Sequence, residues 1–203
     1  MPVVRVDETL IVGLDLQRLF DALGLRDELA PDTEAWTADT YLTVFGALTS
    51  DLRQLGDAWF DRTFDQRHLS IRQHAVHIVT FAEGGYLTHR TGHFDETDMY
   101  AAMEAATDIT TVDELCRYAD SVAQEIAGFL RNADRRNLDL VVRSHYGGQV
   151  SVAEVLRIML RHSAHHVRQL EWFMEHVADR PPGRRLPDRD VALLHLPTSL
   201  FGD

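Results

Sequence analysis

The chain has 203 residues, 45% of them hydrophobic, with 20 basic against 32 acidic side chains and a formal net charge of −12. So acidic a chain lacks the basic surface that sequence-independent nucleic-acid binding and docking on anionic lipid require, and no apolar run approaches the ~20 residues that span a bilayer. Every basic residue is arginine, which excludes a Schiff-base lysine, a P-loop lysine and a lysine general base; the lone Cys116 excludes an internal disulfide, and the residues after Met1 carry no leader pattern, so a reducing, cytoplasmic setting is expected.

Residues 1–25 read as a small β-hairpin followed by a helix. Two β-branched runs, Val3–Val6 and Thr9–Val12, flank Asp7-Glu8, Gly13 ends the second, and Leu14–Leu23 has helical spacing before Gly24. Residues 26–34, with Pro31-Asp32-Thr33, read as a linker.

From 35 to 178 the pattern is helical. Thr37 to about Phe60 carries Tyr41, Val44, Leu48, Leu52, Leu55 and Trp59 at spacings of three and four, and Ser70 to about His89 forms a second stretch. A looser region follows Gly92, with Asp95-Glu96-x-Asp98 as a solvated turn, and then a short helix over Met99–Ala106. Thr111 caps a helix bearing Leu115, Tyr118, Val122, Ile126 and Leu130. Leu138–Tyr146 reads as extended, ended by Gly147-Gly148. Ser151, with Glu154 completing a capping box, opens a last long helix to about Val177. Four long amphipathic helices predict a mainly α protein, a four-helix bundle. Residues 179–203, with Pro181, Pro182, Gly183 and Pro187 before an apolar stretch, are expected to cross the bundle as an extended strap.

Chemistry concentrates in the histidines, of which there are 11. In Arg161-His162-Ser163-Ala164-His165-His166-Val167-Arg168-Gln169-Leu170, His162 and His166 stand about 40° apart on one helical face. They share it with Val155, Ile158, Met159, Gln169 and Phe173. Imidazoles at i and i+4 can aim two ring nitrogens at one ion, the spacing of helical zinc sites. The alternative is a pair of core histidines satisfied by hydrogen bonds, since each buried imidazole needs a polar partner. A third ligand has two candidates in the second helix, His74 and His77. Helical geometry slightly favours His74, nearer the apolar centre set by Ile71, Ile78 and Phe81, and leaves the choice open.

Ser70 and His77-Ile78, the Tyr146-Gly147-Gly148 turn, and Ser151 opening a helix with His162-x-x-x-His166-x-x-Gln169-Leu170 together resemble the DinB-like superfamily of four-helix-bundle metalloenzymes, over roughly Trp36 to Val177. The resemblance implies a divalent metal, zinc or nickel, held by His77, His162 and His166, with His165 as a neighbour. Three histidines and an open fourth position form a catalytic arrangement, and a neutral ligand set leaves the charge of the ion free to acidify a bound water or thiol. Relatives include S-transferases that use thiols such as bacillithiol or mycothiol, a mycothiol-dependent isomerase and proposed hydrolases. The implied function is transfer of a low-molecular-weight thiol, as a metal-activated thiolate, to an electrophilic small molecule. Metal-dependent hydrolysis or thiol-dependent isomerisation is the alternative reaction, and a metal-binding module without catalysis is the alternative class. Dimerisation is common among relatives, and the hairpin has edges to pair, so a homodimer is expected.

The N-terminal segment is similar to the C-terminal part of a glutaredoxin, which would make Pro2, Val3, Gly13 and Asp15 thiol contacts. With no Cys-x-x-Cys, dithiol redox chemistry is excluded, and the alternative is a hairpin-helix that serves only for packing.

Three further side chains are candidates for catalysis: Arg168 to place an anionic substrate, Tyr146 to donate to a developing oxyanion, and Glu83, about a turn and a half after His77, as a general base. Arg72 is a second arginine near the ligands, and Gln169 is placed to orient a ligand histidine. Cys116, between Leu115 and Tyr118, is expected to be buried and inert.

Overall fold

The computed structural model describes residues 3–6, 9–12, 22–23, 33–144, 148–197 and 199–201. Strands β1 (Val3–Val6) and β2 (Thr9–Val12) pair antiparallel, with Val3 opposite Val12 and Val6 opposite Thr9. The expected helix over Leu14–Leu23 lies almost wholly outside the described residues, as does the linker. So do Pro2, Gly13 and Asp15 of the glutaredoxin comparison and Tyr146 of the catalytic candidates.

Helix α1 (Glu34–Leu55) is capped by Thr33, whose hydroxyl accepts from the Trp36 N–H. The sequence pattern runs on to Phe60, but the helix stops at Gly56. That glycine sits at φ 73°, a conformation that ends a helix, and α2 (Asp57–Phe60) restarts beyond it. Strand β3 (Thr63–Phe64), a 3₁₀ turn (Asp65–Arg67) and β4 (Leu69–Ser70) form a tight hairpin, turned by His68 at φ 54°. Ser70 then caps α3 (Ile71–Thr91) in a full capping box with Gln73.

Strand β5 (His93–Phe94) follows, and α4 (Glu96–Ala105) opens with Asp95 as its cap. The acidic run at 95–98 is therefore a helix start rather than a loop; its carboxylates sit where the helix dipole favours them. A 3₁₀ turn (Ala106–Asp108) leads to α5 (Val112–Asn132), capped by a Thr111/Glu114 box. Leu138 ends the short α6 (Arg135–Leu138) instead of opening an extended run, and β6 (Val141–Ser144) and β7 (Gln149–Ser151) precede α7 (Val152–His176). The tail carries α8 (Asp188–Leu193), a turn of helix within the segment read as extended.

Helices α1, α3, α5 and α7 form a four-helix bundle. Helix α1 packs against α5 and α7, and α3 packs against α7 and α5. A continuous core runs through Tyr41, Phe45, Leu48, Leu52, Ile71, Ile78, Ile126, Leu156 and Phe173, all buried. The three-stranded sheet β5-β6-β7 joins β5 to β6 in parallel and β6 to β7 antiparallel. Because β5 directly follows α3 and β7 directly precedes α7, the sheet ties the end of α3 to the start of α7, and the two helices run antiparallel. Their backbones approach closely at Gly85, where an added Cβ would overlap the Met159 side chain. That contact lies 6 residues before the end of α3 and 7 residues into α7.

The strap at 180–187 is bonded to the bundle. Asp51, fully buried, accepts from the Gly183 N–H at 2.7 Å; Glu171, buried, accepts from the Leu186 N–H at 2.7 Å. Gln54 donates to the Pro181 carbonyl at 2.7 Å. Farther on, Phe201 packs edge-on to Phe64 and Trp172, which carries the tail to the C-terminal end of α7.

Candidate metal centre

The antiparallel pairing of α3 and α7 brings three histidines level. His77 lies 14 residues before the end of α3, and His162 and His166 lie 10 and 14 residues into α7. At 1.5 Å per residue all three stand about 15–21 Å from the sheet that joins the helices. Their Nε2 atoms converge: that of His162 is 3.1 Å from the Nε2 of His77 and 3.1 Å from that of His166. Nitrogens bound at 2.0–2.1 Å to one tetrahedral ion stand about 3.3–3.4 Å apart, so the three imidazoles fit a divalent ion with little rearrangement. They are the one group of three or more potential ligand side chains among the described residues. Among the described residues no carboxylate joins them.

The surroundings fix the rings. His166 donates from Nδ1 to Gln169 Oε1 at 2.7 Å, which leaves its Nε2 lone pair aimed at the other two histidines. Gln169 is itself held: its amide donates to the Leu200 carbonyl and lies 3.2 Å from His165 Nε2. The Phe81 ring stacks on His162 at 5.2 Å with an interplanar angle of 10°, and its centroid is 4.0 Å from that of His77. His77 and His166 are buried, and His162 is half-buried.

Burial sets the protonation state. Desolvation, with the Arg67 charge adding to it, lowers the pKa of His77 to about 4; desolvation and then the neighbouring imidazoles push those of His162 and His166 well below the ordinary histidine value. At neutral pH all three are neutral and can act as ligands without first losing a proton.

His74, which helical geometry favoured, is the most deeply buried of the second-helix histidines, as that geometry implied. Its Nε2 donates to the His166 carbonyl at 3.0 Å and its ring packs against Phe64, so it sits beneath the cluster as a core group. His165 faces Gln169 and is half-buried.

Two of the three catalytic candidates, Glu83 and Arg168, have partners among the described residues. Glu83 accepts a hydrogen bond from the Tyr118 hydroxyl of α5. Arg168 donates to the Pro197 carbonyl at 3.1 Å and holds down the tail. Arg72 pairs with Asp61 at 2.8 Å. Cys116 is buried, its Sγ 3.6 Å from the Thr49 carbonyl, and desolvation raises its pKa to about 11.

Sequence reasoning missed Arg67, at the end of the 3₁₀ turn before α3. Its charge bears on His74, His77, His162 and His165. A residue in a three-residue turn has no periodicity to mark it.

No described helix is long and apolar enough to cross a membrane. No curated protein and no solved structure matches the chain. The family model of the DinB superfamily matches residues 40–170, which spans α1 to α7 and includes all three converging histidines. With the bundle, the triad and this match over more than half its length, the chain belongs to the DinB superfamily.

Proposed function

We propose that the protein is a divalent-metal-dependent enzyme that transfers a low-molecular-weight thiol to an electrophilic small molecule. The observation that carries the reading is the convergence of three neutral Nε2 atoms on one point, with no carboxylate beside them among the described residues. Family membership and this triad are consistent with a metal-dependent enzyme. An ion held by His77, His162 and His166 would keep its full double charge and would lower the pKa of a thiol brought to the open position. The chain's own residues hold the ligands neutral, fix the His166 ring through Gln169 and exclude water with Phe81. In the transfer the sulfur forms a bond to carbon, the thiol proton goes to solvent, and the leaving group departs with the electron pair of the broken bond. Buried Cys116 supports the view that the reactive sulfur comes from a cosubstrate.

The test is a thermal-shift titration of zinc- or nickel-loaded protein with mycothiol, bacillithiol, glutathione and ergothioneine. One of these should raise the melting temperature in a saturable way, and only in metal-loaded protein. Loaded protein that ignores all four refutes thiol transfer and favours hydrolysis.

A further inference from the structure

The tail reaches the triad through one amide. Gln169, buried on α7, uses both ends of its side chain: Oε1 accepts from His166 Nδ1 at 2.7 Å, and Nε2 donates to the Leu200 carbonyl. A backbone carbonyl can only accept, so the NH2 of the amide must face Leu200. The amide oxygen then faces His166 and requires a proton on its Nδ1. That tautomer leaves the ring lone pair on Nε2, 3.1 Å from the Nε2 of His162. A reversed amide would donate to Nδ1 and put the ring proton on Nε2, where it blocks a metal ligand. His165 Nε2, 3.2 Å from the Gln169 amide nitrogen, does not decide between the two orientations, because a ring nitrogen can either donate or accept.

The Leu200 carbonyl is held from both sides. Before it, the Pro197 carbonyl accepts from Arg168 at 3.1 Å; after it, the Phe201 ring lies 5.8 Å from Phe64 and 5.0 Å from Trp172. Phe64 packs edge-on to His74 at 5.2 Å, and His74 Nε2 lies 3.0 Å from the His166 carbonyl. The tail thus rests on the same group that supports the His166 backbone. His162, the other ligand on α7, has a buried Nδ1 with no hydrogen-bond partner among the described residues. Tail docking therefore acts on His166 of that pair.

We propose that the Leu200 carbonyl is a positioning group: the docked tail fixes the Gln169 amide, the amide fixes the His166 tautomer, and the metal affinity of the triad depends on the tail. The effect on metal rests on the proposed metal centre; the tautomer does not. Linkage makes the effect reciprocal, so an ion at the triad holds the tail down by the same factor.

The experiment compares full-length wild type with Arg168→Ala/Phe201→Ala, which releases both anchors of the tail and leaves Gln169 and the triad in place. Long-range proton–nitrogen NMR correlation of the imidazoles in metal-free protein reads the tautomer. His166 should carry its proton on Nδ1 in the wild type, and an Nε2–H population should appear in the variant. Zinc should bind the variant roughly three- to tenfold more weakly, the net contribution of about one hydrogen bond. In the wild type zinc should slow hydrogen exchange of the tail amides around Leu200. A wild-type His166 protonated on Nε2, or a tautomer unchanged in the variant whatever its zinc affinity, overturns the inference. A changed tautomer with equal zinc affinity overturns the coupling to metal. Should the variant not melt cooperatively, the wild type decides: zinc that binds without slowing exchange in the tail overturns the inference. Wild type that takes up no zinc, with a tautomer that shifts in the variant, refutes the metal reading and leaves the positioning role standing.

Discussion

Replacing Gln169 by leucine tests whether the triad is oriented or merely adjacent. The substitution keeps the volume of a buried side chain and removes the acceptor that receives the His166 Nδ1–H at 2.7 Å, together with the donor to Leu200. Without that acceptor either tautomer of His166 is allowed and the ring can turn. Loss of such an outer partner lowers metal affinity by roughly 10–100-fold, or about 1.4–2.7 kcal/mol. Zinc affinity should be measured by competition with a chromophoric chelator, alongside the melting temperature of metal-free protein. The expected result is weaker zinc binding by at least tenfold in a variant that still melts cooperatively. Unchanged zinc affinity with a lowered metal-free melting temperature would show that Gln169 only anchors the tail, and the orientation argument would fall.

Acid should destabilise the metal-free protein. His77 has a folded pKa of about 4 against the ordinary 6.5, so between these values the unfolded chain holds the proton and the folded one does not. Folding free energy from this group is therefore lost as pH falls through that window, up to about 3 kcal/mol, and His162 and His166 act in the same direction. Denaturant midpoints at pH 7 and pH 4.5 check it, and equal midpoints would contradict it. Asp51 works the opposite way: desolvation raises its folded pKa from 3.8 to about 7, so the folded chain holds its proton longer. Its burial costs most above pH 7, and Asp51→Asn, which keeps the acceptor for Gly183, should gain stability over wild type as pH rises from 5 to 8; a difference that does not change with pH would refute the assignment. Native protein should leave Cys116 unmodified by a disulfide reagent at pH 8 and react fully once denatured, because the thiol is buried with a pKa of about 11. Rapid modification of the native form would revive the chain's own cysteine as a nucleophile.

The sequence was most readable where one periodicity governs a long stretch. Thr111 and Ser151 mark helix starts that the structure places one residue later, and His162 and His166 share a face by arithmetic alone. Periodicity failed where a single conformation overrides it, as at Gly56, where a positive φ cuts one apolar pattern into two helices. It also could not separate His74 from His77. Both face the interior, and the difference is which carbonyl or ring nitrogen lies across the gap on α7, a matter of helix register. That register depends on the pairing of β5 with β6, a two-residue parallel contact with no local signature. Arg67, whose charge lowers the pKa of His77, was hidden for a related reason: it sits in a three-residue turn that has no periodicity.

The central claim is that His77, His162 and His166 hold one divalent ion. It is tested most directly by elemental analysis of purified protein reconstituted with zinc and desalted, for the wild type, His162→Ala and His165→Ala. The account predicts about one equivalent in the wild type and in His165→Ala, and less than about a tenth in His162→Ala, since a catalytic site of this kind needs all three ligands. Full occupancy in His162→Ala, or loss of metal in His165→Ala alone, would contradict it.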